Sequence, residues 1–143
     1  MTATLFRACF VAVSCLVAIP ALAETIALQA ELKPQNQVPA INGNPASGNC
    51  SVGFEAQSKM LSWTCSYSGM TGKALAGHFH GPADATKTAG VVITLPKIDS
   101  PFEDKATLTD AQAAELLAGK WYVNIHTAAH PGGEIRGQVV KAK

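Results

Sequence analysis

Apolar and polar residues alternate along the stretch 50–67, and the alternation fits two strands joined by one turn. If the chain turns at Gln57-Ser58, antiparallel pairing sets Cys50 opposite Cys65. Successive side chains of a strand point to opposite faces, so the apolar residues of both strands then share one face. These are Cys50, Val52, Phe54, Leu61, Trp63 and Cys65. The pattern predicts a hairpin whose cysteines are close enough to form a disulfide.

Other segments rich in apolar residues, separated by Gly, Pro and Asp, predict further strands. They are Thr25 to Leu32, Ala74 to His80, Gly90 to Leu95, Trp121 to Thr127 and Glu134 to Val140. A helix is predicted from Thr109 to Ala118, because Thr109 and Gln112 can form a capping box and Gly119 can end it. The acidic segment 99–104 predicts a solvated loop. Short strands with one brief crossover helix indicate an all-β fold, either a Greek-key β-sandwich or a flattened barrel.

Residues 1–23 predict a secretory signal peptide, which takes no part in the fold. Arg7 supplies the positive start, residues 8–19 form an apolar stretch, and Ala21-Leu22-Ala23 is a site that a signal peptidase accepts. Cleavage after Ala23 leaves a single domain of residues 24–143, which we expect in the periplasm or outside the cell. The apolar stretch is shorter than the about 20 residues that span a bilayer, so the mature form is expected to have no membrane span.

Charge and cysteine content follow from this cleavage. Removing Arg7 and no acid leaves ten basic and ten acidic side chains, which argues against nucleic acid as a partner. Cys9 and Cys15 leave with the signal, so Cys50 and Cys65 remain for one disulfide in an oxidising compartment. Lipidation of Cys15 is the alternative to cleavage after Ala23, although the residues before Cys15 form a poor lipidation motif.

Histidine placement is the strongest functional signal in the sequence. The chain has four histidines, and they lie in only two short segments. His78 and His80 project from the same face of a strand, roughly 6.5–7 Å apart, a span that two imidazoles can close around one metal ion. Alternation along 121–127 turns His126 to the outside of its sheet as well.

The metal hypothesis depends on whether these two strands are neighbours. If they are, the imidazoles of His78, His80 and His126 converge on one outer surface, and His130 on the adjoining loop is a candidate fourth ligand. Imidazole ligands in an oxidising compartment favour copper or zinc. If the strands are apart, the histidines are solvated surface residues without a site.

The C-terminal strands predict a hairpin around the turn His130-Pro131-Gly132-Gly133. In that hairpin Asn124 faces Arg136 on the outer side, and His126 faces Glu134. Glu134 is then a candidate carboxylate for fixing the orientation of the His126 ring, or it forms a plain cross-strand polar pair with His126. Arg136 is a candidate contact for an anion, the alternative being a structural contact to loop carbonyls.

Several runs of residues follow the motif order of a known family. They are Ala76 to Ala83, Leu108 to Gln112, Leu117 to Gly119, Tyr122 to Thr127 and Pro131 to Gln138. These runs resemble the CHRD domain, which is named from chordin and occurs in many bacterial exported proteins. Gln37-Val38-Pro39 is similar to the acidic-Val-Pro-Pro opening of that family, with Gln37 and Ala40 as departures. The resemblance implies an exported β-domain and supplies no catalytic residues.

A second similarity is to copper/zinc superoxide dismutase, so the expected sandwich or barrel is either immunoglobulin-like or dismutase-like. His78, His80, His126 and Arg136 could play parts analogous to its outer H-x-H ligands and its C-terminal arginine. The further histidines and aspartate of its zinc loop are missing from the sequence, and motifs of hydrolases and nucleotide-binding enzymes are absent too.

Three functional hypotheses remain, and a non-enzyme is favoured. The first is an exported CHRD-type domain that binds copper or zinc through its histidines. The second is a protein- or glycan-binding adhesion module in which the histidines are structural. The third, ranked last, is a redox enzyme of dismutase type. The expected partner is an unidentified protein or small ligand.

Overall fold

A computed structural model describes residues 24–143 of the chain, so the predicted signal peptide and its cleavage site lie outside the described residues. The strands are β1 (Thr25–Leu32), β2 (Ser47–Glu55), β3 (Met60–Ser68), β4 (Ala74–His80), β5 (Val91–Thr94), β6 (Phe102–Thr107), β7 (Tyr122–Thr127), β8 (Ile135–Gln138) and β9 (Val140–Lys141). A short 3₁₀ helix at Pro34–Asn36 follows β1, and helix α1 (Asp110–Leu117) precedes β7.

The strands form two antiparallel sheets packed face to face. The first sheet has the order β6-β3-β2-β1-β9, and the second has the order β5-β4-β7-β8. Trp63 of the first sheet meets Phe79 of the second edge to face, with ring centroids 5.2 Å apart. Within residues 24–143 the sheets do not close into a barrel, so the predicted all-β sandwich is confirmed and the barrel alternative is not.

The hairpin predicted from alternation is present as strands β2 and β3. Cys50 pairs with Cys65 in the predicted register, and the two sulfurs form a disulfide with Cα atoms 4.1 Å apart. All six apolar side chains of this hairpin face are at most 3% exposed. This face is therefore the part of the first sheet that packs into the hydrophobic core.

Helix α1 is the predicted crossover between the sheets. The Thr109 hydroxyl accepts from the backbone N–H of Gln112, whose side chain in turn accepts from the backbone N–H of Thr109. Gly119 follows the helix with φ of +71°, a conformation that glycine adopts without strain. The chain passes from β6 in the first sheet to β7 in the second.

Two segments differ from the predicted elements. The acidic segment expected to be a loop contains the start of β6, in which Glu103 and Asp104 pair with β3 at the edge of the first sheet. An edge strand buries few side chains, so its hydrophobic alternation is weak. The last predicted strand is divided at the buried Val139, because β8 joins the second sheet while β9 pairs with β1 in the first.

The outer face of the second sheet, the side turned away from the core, is covered rather than solvent-exposed. The predicted outward residues Tyr122, Asn124, Glu134 and Arg136 are at most 3% exposed. The loop 81–90 lies across this face, and its carbonyl groups accept hydrogen bonds from side chains of β7 and β8. Alternation predicts the side to which a residue points but not whether another segment covers that side.

Glu134 ties two further loops to the second sheet. Its carboxylate accepts from Asn44 Nδ2 at 3.1 Å, from Thr71 N and Oγ1 at 2.7 Å, and from Thr127 Oγ1 at 2.5 Å. Burial by itself would raise the pKa of Glu134, but hydrogen bonds from Thr127, Asn44 and Thr71 outweigh it and lower the pKa to about 2. The carboxylate therefore joins three separate segments while ionised.

Removing the disulfide should destabilise the domain. We expect the Cys50→Ala/Cys65→Ala variant to lose about 3 kcal/mol of unfolding free energy, because a closed loop of this size restricts the unfolded chain. Urea unfolding followed by tryptophan fluorescence measures the loss. Reduction of the wild-type protein should shift the midpoint similarly and leave the variant unchanged. Equal midpoints for the oxidised wild type and the variant would contradict the expectation.

Glu134 should make the unfolding free energy of the domain depend on pH in the acidic range. Because its pKa is lower in the folded state, its contribution is present above about pH 4.5 and is lost as the pH falls towards 2. Glu134→Gln should lower the unfolding free energy at pH 7 by about 2–3 kcal/mol and flatten its slope between pH 4.5 and 2. Urea unfolding at several pH values measures both. The exposed Glu103→Gln is the matched control, and an equal slope change in both variants would argue against this role.

Candidate metal centre

Pairing of β4 with β7 brings the two histidine segments together. Ala76 lies opposite His126, and His78 lies opposite Asn124. One nitrogen from each of His78, His80 and His126 belongs to a set whose members all lie within 4.8 Å of one another. The adjacency that the sequence left open is therefore present on the outer face of the second sheet.

Backbone carbonyl groups fix the orientation of two of these rings. His80 Nδ1 lies 2.9 Å from the carbonyl oxygen of Ala89 in loop 81–90. His126 Nδ1 lies 2.9 Å from the carbonyl oxygen of Pro131 in the β7–β8 turn. A carbonyl oxygen only accepts, so each Nδ1 must carry the proton. In a neutral imidazole the Nε2 atom is then left with a free lone pair.

The free lone pairs point towards a common region. His80 Nε2 lies 3.0 Å from Asn124 Oδ1, and His126 Nε2 lies 2.9 Å from the same oxygen. His126 Nε2 is also 3.0 Å from His78 Nδ1. His78 Nδ1 can donate the hydrogen bond that His126 Nε2 accepts. His80 Nε2 and Asn124 Oδ1, both acceptors in this arrangement, are left facing each other, and a cation, either a metal ion or an added proton, would compensate them.

Protonation is disfavoured at this place. Burial lowers the pKa of His78, and positive charge on His126 or His80 would lower it further. Burial also lowers the pKa of His80, although its hydrogen bonds to Ala89 and Asn124 act in the opposite direction. The neutral ring is the form that binds a metal. The surroundings therefore favour the ligating state of the cluster near neutral pH.

Packing holds His80 more tightly than the other two histidines. Its ring stacks on Tyr122 with centroids 4.7 Å apart and an interplanar angle of 4°. His80 is 8% exposed, whereas His78 and His126 are partly exposed. The cluster is thus walled by Tyr122 on one side and open to solvent on the side of His78 and His126.

The remaining predicted site residues occupy different positions. His130 lies in the β7–β8 turn, where its backbone N–H donates to the Thr127 carbonyl oxygen, and it is not part of the three-histidine set. Among residues 24–143, no hydrogen bond joins Glu134 to His126; the Pro131 carbonyl oxygen lies against His126 Nδ1 instead. Asn124 does contact two of the imidazoles.

Arg136 lies on the other side of Tyr122 from the histidines, because β7 runs between β4 and β8. Its guanidinium carbon is 3.6 Å from the centroid of the Tyr122 ring. Its Nη2 donates to the carbonyl oxygens of Asp84 and Lys87, at 3.2 and 2.8 Å. Sequence reasoning identified the histidines but missed Tyr122 and the loop carbonyls, since no residue pattern marks a backbone oxygen.

Comparisons with known proteins address the family of the chain. No curated protein and no solved structure shows significant similarity to it. The family model of the CHRD domain matches residues 28–139, which include every strand of the second sheet and all three clustered histidines. Because this match covers most of the chain and confirms the resemblance seen in its motifs, the protein belongs to the CHRD domain family.

Proposed function

We propose that this protein is an exported, non-enzymatic CHRD-domain protein that binds one copper or zinc ion through His78, His80 and His126. The observation that carries the proposal is the convergence of lone pairs. The backbone carbonyl groups of Ala89 and Pro131 hold the protons of His80 and His126 on Nδ1. The Nε2 atoms of these two rings are then free to bind a metal ion within the three-histidine cluster.

Nitrogen spacing is compatible with a bound metal ion. For metal–nitrogen distances near 2.05 Å, neighbouring ligands lie about 2.9 Å apart at a right angle and about 3.3 Å apart in a tetrahedron. His78 Nδ1 and His126 Nε2 are 3.0 Å apart, a distance between these two values. The largest separation, up to 4.8 Å, requires the rings to move together on binding. Asn124 Oδ1 adds a neutral oxygen beside two of the nitrogens.

The position of Arg136 supports a binding role rather than a redox reaction of dismutase type. The arginine is separated from the histidines by Tyr122, is 1% exposed, and is bound to loop carbonyls. It is therefore not positioned to draw an anion to the open side of the histidine cluster. The three histidines hold the ion, and the carbonyl groups of Ala89 and Pro131 orient the rings of His80 and His126.

Export is supported by the sequence of residues 1–23 and by the disulfide of the first sheet, which suits an oxidising compartment. Within residues 24–143, no helix is long and apolar enough to cross a membrane. We place the mature protein in the periplasm or outside the cell.

Metal binding should depend on the H-x-H pair. In separate calorimetric titrations with Cu²⁺ and Zn²⁺, we expect the wild type to bind one ion. The His78→Ala/His80→Ala variant should bind more than about 100-fold more weakly, since it loses two of three ligands. His130→Ala is the matched control and should retain wild-type affinity. Bound metal should also raise the melting temperature of the wild type.

Equal weak binding by the wild type and the double variant would overturn the metal proposal. A melting temperature that rises equally in both proteins would do the same, because it would locate the metal elsewhere.

Processing should remove residues 1–23 on expression of the full chain in a bacterium that secretes it. We expect the mature protein to begin at Glu24, as determined by N-terminal sequencing and intact mass. Retention of the uncleaved chain, or a mature chain that begins with a lipid-modified Cys15, would contradict this site of cleavage.

A further inference from the structure

A second polar cavity lies beside Arg136, on the side of Tyr122 away from the histidines. Its volume is about 220 Å³, room for several molecules of water at about 30 Å³ each. It is lined by Gln35, Asn36, Gln37, Ala85, Arg136 and Gln138. No acidic side chain lines this cavity, and Arg136 supplies its one charge.

Arg136 is a buried cation without a carboxylate partner. Its side chain is 1% exposed, and its hydrogen bonds go to the carbonyl oxygens of Asp84 and Lys87. The Nη1 atom has no partner. Ion pairs in the described part of the chain join Lys33 to Glu31 and Lys59 to Asp110, not Arg136 to an acid. Burial lowers the pKa of its guanidinium, while the nearby Tyr122 and Asp84 act in the opposite direction. A buried charge of this kind costs free energy unless an anion compensates it.

Two further unpartnered atoms belong to residues of the same cavity. Gln37 is 8% exposed, and its Nε2 donor has no hydrogen-bond partner. Gln138 Oε1 is an acceptor without a partner. The amide of Gln138 cannot turn over, because its Nε2 donates to the carbonyl oxygens of Ala83 and Gly119, both at 2.8 Å. Residues around one cavity thus leave two donors and one acceptor unsatisfied, and each is unfavourable when buried.

We propose that this cavity binds a small hydroxycarboxylic acid. Small rotations of the lining side chains turn Arg136 Nη1 and Gln37 Nε2 towards the carboxylate as donors and Gln138 Oε1 towards the hydroxyl as acceptor. A guanidinium matches a carboxylate in shape and charge, and one negative charge balances the single arginine. A phosphate dianion would leave a buried charge uncompensated, since no lysine lines the cavity.

The first test uses the purified protein, freed of metal on a chelating resin so that the histidine cluster plays no part. Sodium lactate is titrated against ¹⁵N-labelled protein and followed by NMR, with sodium propionate and sodium chloride at equal ionic strength for comparison. We expect saturable shifts around Arg136, with lactate about tenfold tighter than propionate because the hydroxyl satisfies Gln138. Lactate shifts that match those of chloride, or none at all, would mean that the cavity holds only water and would overturn the proposal.

The second test supplies a carboxylate from the chain itself. Gln37→Glu breaks none of the side-chain hydrogen bonds in the described residues, and it adds an acid to the lining of the cavity that Arg136 also lines. The variant should melt at a higher temperature than the wild type and bind lactate at least about tenfold more weakly, since Arg136 is already neutralised. Gln29→Glu, exposed on the first sheet, carries the same charge change and should bind lactate as the wild type does. Undiminished lactate binding by Gln37→Glu would refute the site, as would an equal loss in both variants.

Discussion

The antiparallel pairing of β4 with β7 is the constraint on which the rest of the site depends. Its register sets His78 beside Asn124 and His80 beside Tyr122, and it places His126 two residue pairs further along, on the same face. A shift of one residue would turn every one of these side chains into the core. The buried Phe79, Val123 and Ile125 of the opposite face oppose that shift, so the core that stabilises the sandwich also determines the geometry of the histidine cluster.

Local signals in the sequence were sufficient for the elements that depend on near neighbours. The disulfide hairpin followed from alternation around one turn, and α1 from its capping box. Strand order depends on contacts between distant residues, so neither the adjacency of β4 and β7 nor the edge position of β6 could be predicted. The cover over the second sheet was missed because alternation carries no information on what lies above a face. Two sequence signals lay at the Arg136 cavity, namely Arg136 itself as a candidate contact for an anion and the departure from the family motif at Gln37.

Tyr122 separates two polar regions of opposite character on the same face. On the β4 side, His80 and His126 direct lone pairs towards Asn124, and the region is rich in acceptors. On the β8 side, Arg136 and Gln37 leave donors without partners. The same covering loop serves both, because the carbonyl oxygen of Ala89 lies against His80 while those of Asp84 and Lys87 accept from Arg136.

Glu134 and Arg136 show why burial alone does not identify a binding residue. Both are at most 1% exposed; Arg136 belongs to β8, and Glu134 immediately precedes that strand. Every interaction of Glu134 is supplied by the protein, and four hydrogen bonds lower its pKa to about 2, so its carboxylate has a complete structural explanation. Arg136 stacks on Tyr122 and reaches two carbonyl groups, yet its charge and its Nη1 remain unmatched. Because a folded protein rarely leaves a buried cation in this state, the missing partner of Arg136 is to be sought outside the chain.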